Sequence, residues 1–361
     1  MTNSLENPPL DPANISAPNL PKRIPSLDGL RAISILLVIV AHAVNPVAYP
    51  RLYSLIGHVG NYGVRIFFLI SGFLITTLLL TEYRKHGSIS VKNFYARRTI
   101  RIFPAFYFYA GVVILLAYSG WIKLYPGDIL HALTYTMNYH QHRAWYLNHT
   151  WSLSVEEQFY LIWPALLLAI SPLRAMRVAA AMIFAAPLIR AVMYFYFDAT
   201  PTALGRQFQA VADALACGCL LAGFYNRLGE ISTYVRWQRH PLYPLLPLTL
   251  LAASGLTYKI STPFYYIAGQ SIANAACFLL LDYAVRCSQS PTGTLLNARV
   301  FSFIGAWSYS LYLWQELFLD YEPTGLRVPF PLNVVCSFAA ALFSYYFIER
   351  VFFGLRHRFS R

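Results

Sequence analysis

Val64-Arg65-Ile66-Phe67-Phe68-Leu69-Ile70-Ser71-Gly72-Phe73-Leu74-Ile75-Thr76-Thr77-Leu78-Leu79-Leu80-Thr81-Glu82 decides the fold. About 20 apolar residues, rising 1.5 Å each, cover the hydrocarbon layer of a bilayer as one helix. The same block recurs along the chain, and we place ten spans at 27–44, 64–82, 103–120, 153–171, 179–197, 208–225, 241–257, 264–284, 300–319 and 330–352. Residues 121–150 are less apolar, with room for a short re-entrant helix around Asp128–Tyr139. The composition agrees: 57% of the 361 residues are hydrophobic and only 12% are charged, half the share usual in soluble domains. The expected architecture is all-α, a polytopic transmembrane helix bundle. A polar tail at 1–26 and a short basic tail at 353–361 flank a membrane domain at 27–352. The first 24 residues are polar and proline-rich, with no apolar core of a cleavable leader.

The net charge of +13 would suit nucleic acid if it lay on one surface. It lies instead in alternate loops. With the N-terminus cytoplasmic, the inside segments hold 18 Lys/Arg, the outside segments six, and the spans four. That asymmetry is the positive-inside pattern and places both termini in the cytoplasm. The expected location is the cytoplasmic (inner) membrane, and no nucleic-acid partner is expected. The five cysteines form no CxxC pair, which suggests neither a disulfide framework nor a zinc site.

Ionisable groups at membrane depth are costly and mark candidate sites. On the first span, Arg31 and His42 are eleven residues apart, which returns them to nearly one face with ~16 Å of rise between them. Asp28 and Ser34 lie close to the same stripe. A packing seam would look the same from spacing alone. The fourth span opens with Trp151-Ser152-Leu153-Ser154-Val155-Glu156-Glu157-Gln158-Phe159-Tyr160. Ser154 suits an N-cap, and the helix dipole favours acids there. Glu156 and Tyr160 share a face. Arg98 and Arg101, i and i+3 in a basic stretch, suit phosphate, or equally an interfacial anchor for anionic membrane lipid. Asp213 stacks with Gln209 and Arg206. Tyr309, Tyr312 and Glu316 form a stripe on the ninth span, with Ser308 and Gln315 beside it. His140, His142 and His149 lie in the external loop without an acidic or Cys partner nearby in sequence, and no metal site is expected.

These residues resemble the integral membrane acyltransferase family 3. Leu27-Asp28-Gly29-Leu30-Arg31 through His42 is similar to the family's Arg-x10-His first helix. Arg98-x-x-Arg101 with Pro104 is similar to its basic motif, Trp151 to Tyr160 to its "WSLSVEEQFY" signature, and Gly305 to Trp314 to its "GxxSYSLYLW" helix. Two positions depart from the pattern. Gln315 stands where the family often has His, and Val351 follows Glu349-Arg350 where a Pro is usual after Glu-x. The chain resembles stand-alone members, without the esterase-like domain many relatives carry.

The resemblance implies transfer of an acyl group, commonly acetyl, from acyl-CoA to a hydroxyl of a cell-envelope or exported carbohydrate or glycolipid. Acyl-CoA, acetyl-CoA first, enters as donor substrate and not as a resident cofactor. Arg98 and Arg101 would hold CoA phosphates, with Arg31 deeper in. His42 would be the base and Glu156 would steady its imidazolium. Asp28, Ser34, Ser154, Glu157, Tyr160, Asp213, Tyr309, Tyr312 and Gln315 are candidate lining. A ten-span transporter, or a non-catalytic lipid or glycan receptor, would share the buried charges. No paired halves or matching broken helices favour the transporter.

Overall fold

The computed structural model describes residues 15, 17–18, 20–21, 24–45, 48–321 and 325–354. Most of the expected tails at 1–26 and 353–361 lies outside these residues. The ten expected spans fall in ten helices: α1 (Pro25–Ala43), α2 (Val59–His86), α3 (Val91–Tyr118), α4 (Trp145–Ile170), α5 (Pro172–Phe197), α6 (Pro201–Glu230), α7 (Leu245–Ile260), α8 (Thr262–Arg286), α9 (Arg299–Phe318) and α10 (Leu332–Phe353). Eight are long and apolar enough to cross a membrane. Of the other two, α7 is apolar but shorter, and α9 carries Ser308, Tyr309, Ser310, Tyr312, Gln315 and Glu316 along its length. The described residues contain no β-strand. The protein is an all-α polytopic membrane bundle.

Lipid tails offer no hydrophobic drive for helices to associate, so close packing through small residues does that work. At the centre α2 crosses α6 at Gly72 and Gly218. A Cβ built at Gly72 would strike the Leu215 carbonyl, and one at Gly218 the Leu69 carbonyl. In the same way α1 is seated on α9, where Gly305 lies against the Asp28 carbonyl. Gly63 of α2 lies against the Ser34 carbonyl of α1, so α1, α2 and α9 pack as one group at the centre of the bundle. By contrast α5 turns Phe184, Leu188, Phe195 and Tyr196 outward.

Two buried polar links tie the middle of the bundle. Arg190 on α5 donates to Asp213 at 2.8 Å and to Ser271 at 2.7 Å, and Arg65 on α2 donates to Asn274 at 2.6 Å. A buried charge without such partners would be strongly destabilising.

Between α3 and α4 the candidate re-entrant segment holds a helix only over Asp128–Leu133. Its Asp128 carboxylate accepts the Tyr125 and Ala144 amides, at 2.7 and 3.1 Å, and so closes the loop on itself. Below, the "basal" end of the bundle is the one where α1 begins, and the "apical" end the one where it stops.

Candidate active site

Among the described residues, two cavities inside the bundle hold the candidate side chains. The basal one, ≈ 290 Å³, receives Arg31 from α1, Arg98 and Arg101 from α3, Glu156, Glu157 and Tyr160 from α4, and Glu349 from α10. Helical spacing explains each group. Asp28 and Arg31 are one turn apart and 3.7 Å from each other. Glu156 and Tyr160, also one turn apart, both reach Ser71 of α2: the Ser71 hydroxyl donates to Glu156 at 2.5 Å, and the Tyr160 hydroxyl donates to Ser71 Oγ at 3.1 Å. The Arg98 guanidinium lies 5.2 Å from the Tyr160 ring centroid, a cation–π contact that holds it toward the cavity. A π-helical turn spans Tyr345–Glu349. Both of its end residues line the cavity, and the Ser310 hydroxyl donates to Glu349.

The apical cavity is ≈ 170 Å³. His42, on the last turn of α1, places Nδ1 2.8 Å from Gln315 Oε1 and 3.8 Å from Glu316 Oε1. The other Glu316 oxygen accepts from the His149 ring at 2.7 Å and from the His149 amide at 3.0 Å. One carboxylate therefore serves two imidazoles. The Trp145 ring stands edge-on to His42, its centroid 5.3 Å away, and its Nε1 donates to the Glu316 carbonyl at 2.9 Å. The Gln315 carbonyl oxygen accepts from Nδ1–H of His42 in the tautomer that leaves Nε2 able to take up a proton. Arg206 lines the same space, donates to Asn148 and packs over Trp151.

Val64, Phe68 and Tyr312 line both cavities and form the partition between them. The Tyr312 hydroxyl is fixed between Ser152 Oγ, 2.6 Å, and the His149 carbonyl, 2.9 Å.

The structure thus brings Arg31, Arg98 and Arg101 together with Glu156, and sets His42 apart from them. Among the described residues His42 and Glu156 share no hydrogen bond. The reason is where α4 starts. The expected span begins at 153, which would leave Glu156 near the apical surface. A short helix over Trp145–Asn148 leads through His149 into the helix Thr150–Ile170, so Glu156 is six residues into the latter, or ~9 Å down its axis, with a further helical turn above it. For the same reason Ser154, expected as an N-cap, is inside the helix, where its hydroxyl donates to the Thr150 carbonyl at 3.0 Å.

Asp28, Glu157, Tyr160, Tyr309 and Tyr312 line the basal cavity. Ser34, Ser154, Asp213 and Gln315 line neither: Ser34 is bonded to the Leu30 carbonyl at 2.8 Å, Asp213 to Arg190, and Gln315 supports His42 from behind. His149 and Glu316 were not singled out as a pair by sequence. The sequence names each separately, His149 among the external-loop histidines and Glu316 in the Tyr309/Tyr312/Glu316 stripe. His140 goes elsewhere, 3.1 Å from Asp128 and stacked on His131. No three His, Cys, Asp or Glu side chains among the described residues are grouped to hold a metal ion.

A family model described as an acyltransferase domain matches residues 24–350. The chain belongs to the acyltransferase-3 family. The matched stretch of this acyltransferase-3 chain takes in every residue named above for either cavity. It is 29% identical to peptidoglycan O-acetyltransferase OatA of Listeria monocytogenes, over 91% of this chain and 55% of the relative. It is 26% identical to YrhL of Bacillus subtilis, over 91% and 54%, a protein whose assignment as a peptidoglycan O-acetyltransferase is provisional. The chain spans about half the length of these curated relatives. No solved structure matches it.

Proposed function

We propose that this acyltransferase-3 protein transfers an acyl group, acetyl first of all, from acyl-CoA to a hydroxyl of a cell-envelope or exported carbohydrate or glycolipid. The observation that carries the reading is the stacking of the two cavities: three arginines in one, a histidine bonded to Gln315 beside Glu316 in the other, and three side chains between them. Membership of the family and the O-acetyltransferase named among its relatives support the acyl chemistry.

In this reading the basal end is cytoplasmic, as the 18-to-six division of Lys and Arg supports. Arg98 and Arg101 hold CoA phosphates by charge-assisted bonds, with Arg31 deeper along the donor arm. The thioester reaches the partition at Tyr312 and Phe68. An acceptor hydroxyl enters the apical cavity, where Arg206 and Asn148 offer hydrogen bonds. His42 Nε2 takes the hydroxyl proton as the oxygen attacks the thioester carbonyl carbon. The carbon–oxygen bond forms, the carbon–sulfur bond breaks, and CoA leaves as a thiolate that receives the proton back from His42. Glu316 stabilises the intervening imidazolium, as the acid of a catalytic triad does. Glu156 belongs to the donor cavity in this account.

Two experiments test the reading. Detergent-purified protein given acetyl-CoA and envelope glycan should release CoA and acylate the glycan; absence of both rules out the enzyme and leaves a transporter or receptor. A single cysteine at Lys92 should resist impermeant labelling from outside; efficient labelling would invert the orientation.

A further inference from the structure

The basal cavity, at ≈ 290 Å³, is at the lower limit even for drug-sized ligands. Its arginines serve the acyl arm and the diphosphate of a CoA thioester, and the adenosine needs space beyond it. A second space begins at its wall. This is a groove of ≈ 680 Å³ at the basal ends of α9 and α10, and Ala306 and Tyr345 line both it and the cavity.

The lining of the groove has two kinds of chemistry. Arg299 and Arg350 supply positive charge, no carboxylate lines it, and neither arginine forms an ion pair among the described residues. Phe303, Trp307 and Tyr346 supply aromatic faces: the Phe303 and Trp307 rings are 5.9 Å apart, and Trp307 and Tyr346 6.4 Å. Phe303 and Tyr346 are exposed. The Arg350 guanidinium lies 5.9 Å from the Tyr346 ring centroid.

We propose that this groove binds the adenosine 3′-phosphate end of the acyl-CoA donor, its purine against Trp307 and Tyr346 and its 3′-phosphate on Arg299 and Arg350. The proposal rests on the function proposed above and names a part of the donor site that lies outside the Arg98–Arg101 pair. A flat purine is held by aromatic faces, and a phosphate by unpaired guanidinium groups. An anionic lipid headgroup would use the same arginines. The shared wall with the donor cavity and the cluster of three rings favour the nucleotide.

The test compares two donors: acetyl-CoA, and acetyl-phosphopantetheine, which keeps the arm and its phosphate but lacks the nucleotide. In the Arg299→Gln/Arg350→Gln variant, KM for acetyl-CoA should rise about tenfold or more, while KM for acetyl-phosphopantetheine stays put. That second donor also reports that the variant is folded. Trp307→Leu should raise KM for acetyl-CoA alone, by about threefold or more. Unchanged KM for acetyl-CoA in both variants overturns the proposal, and loss of co-purifying anionic phospholipid alongside it would make the groove a lipid site. A wild-type protein that uses both donors with equal KM sinks the groove and spares the transferase. A wild-type protein that uses neither sinks the transferase, and the groove with it.

Discussion

The two cavities are built in opposite ways. The basal one is assembled from short-range pairs: Asp28 with Arg31, Arg98 with Arg101, Glu156 with Tyr160, each within one turn of a helix. The apical one is assembled from contacts that span the chain. His42 meets Gln315 across 273 positions, and His149 meets Glu316 across 167. The pairs of the first site each lie on one helix, although the cavity itself forms only where α1, α3, α4 and α10 meet. The second needs α1, α4 and α9 to be packed in register, and the glycine contacts of α1 with α9 provide that. A charge cluster that tolerates local variation suits holding a flexible anionic donor. A carboxylate shared by two imidazoles suits a step in which one proton must move at one atom.

If this division is real, substitutions in the two cavities should damage different measurements. The largest effect is expected at Glu316. Glu316→Gln leaves His42 and His149 without their common carboxylate, and transfer should fall about 10²–10³-fold with donor affinity unchanged. Equal loss of both in a folded protein would erase the distinction between the cavities. Next is the Arg98→Ala/Arg101→Ala pair. Each guanidinium makes charge-assisted bonds of about 1.5–3 kcal/mol, so CoA affinity should weaken by about 10²-fold or more. Isothermal titration reads this directly, and unchanged affinity would leave only a lipid anchor at those positions. The smallest effect is expected at Glu156. Glu156→Gln keeps an acceptor for Ser71 and removes a negative charge facing the donor phosphates. Donor binding should tighten by about threefold, with transfer little changed. A hundredfold loss of transfer at intact affinity would instead return Glu156 to the side of His42.

How much of this could be read from the sequence follows the same line. The ten helices were legible because bilayer thickness sets a minimum apolar length for a span, which α2 and α5 show plainly and α7 falls short of. Asp28 with Arg31, Arg98 with Arg101 and Glu156 with Tyr160 were legible because each pair lies on one helix. His42 stood out because an imidazole eleven residues from Arg31 lies on the same stripe. The sequence pairs it with Glu156, whereas the structure puts Glu316 beside it: helical structure already starts at Trp145, within a segment polar enough to read as a loop, which places Glu156 deeper and turns His149 from a loop residue into a buried one. Asp213 was read as lining because its partner, Arg190, comes from another helix. Nothing local to Asp213 shows that its charge is already matched. The groove at Arg299 and Arg350 was invisible for a similar reason, since it exists only where the ends of α9 and α10 meet.

The account stands on His42 acting in the chemical step and not in donor recognition. The direct measurement is acetyl-CoA turnover by purified His42→Ala protein, with CoA affinity measured on the same sample. The account predicts a loss of about 10²–10⁴-fold in turnover at wild-type affinity. Turnover at the wild-type rate, or affinity lost in step with turnover, would contradict it.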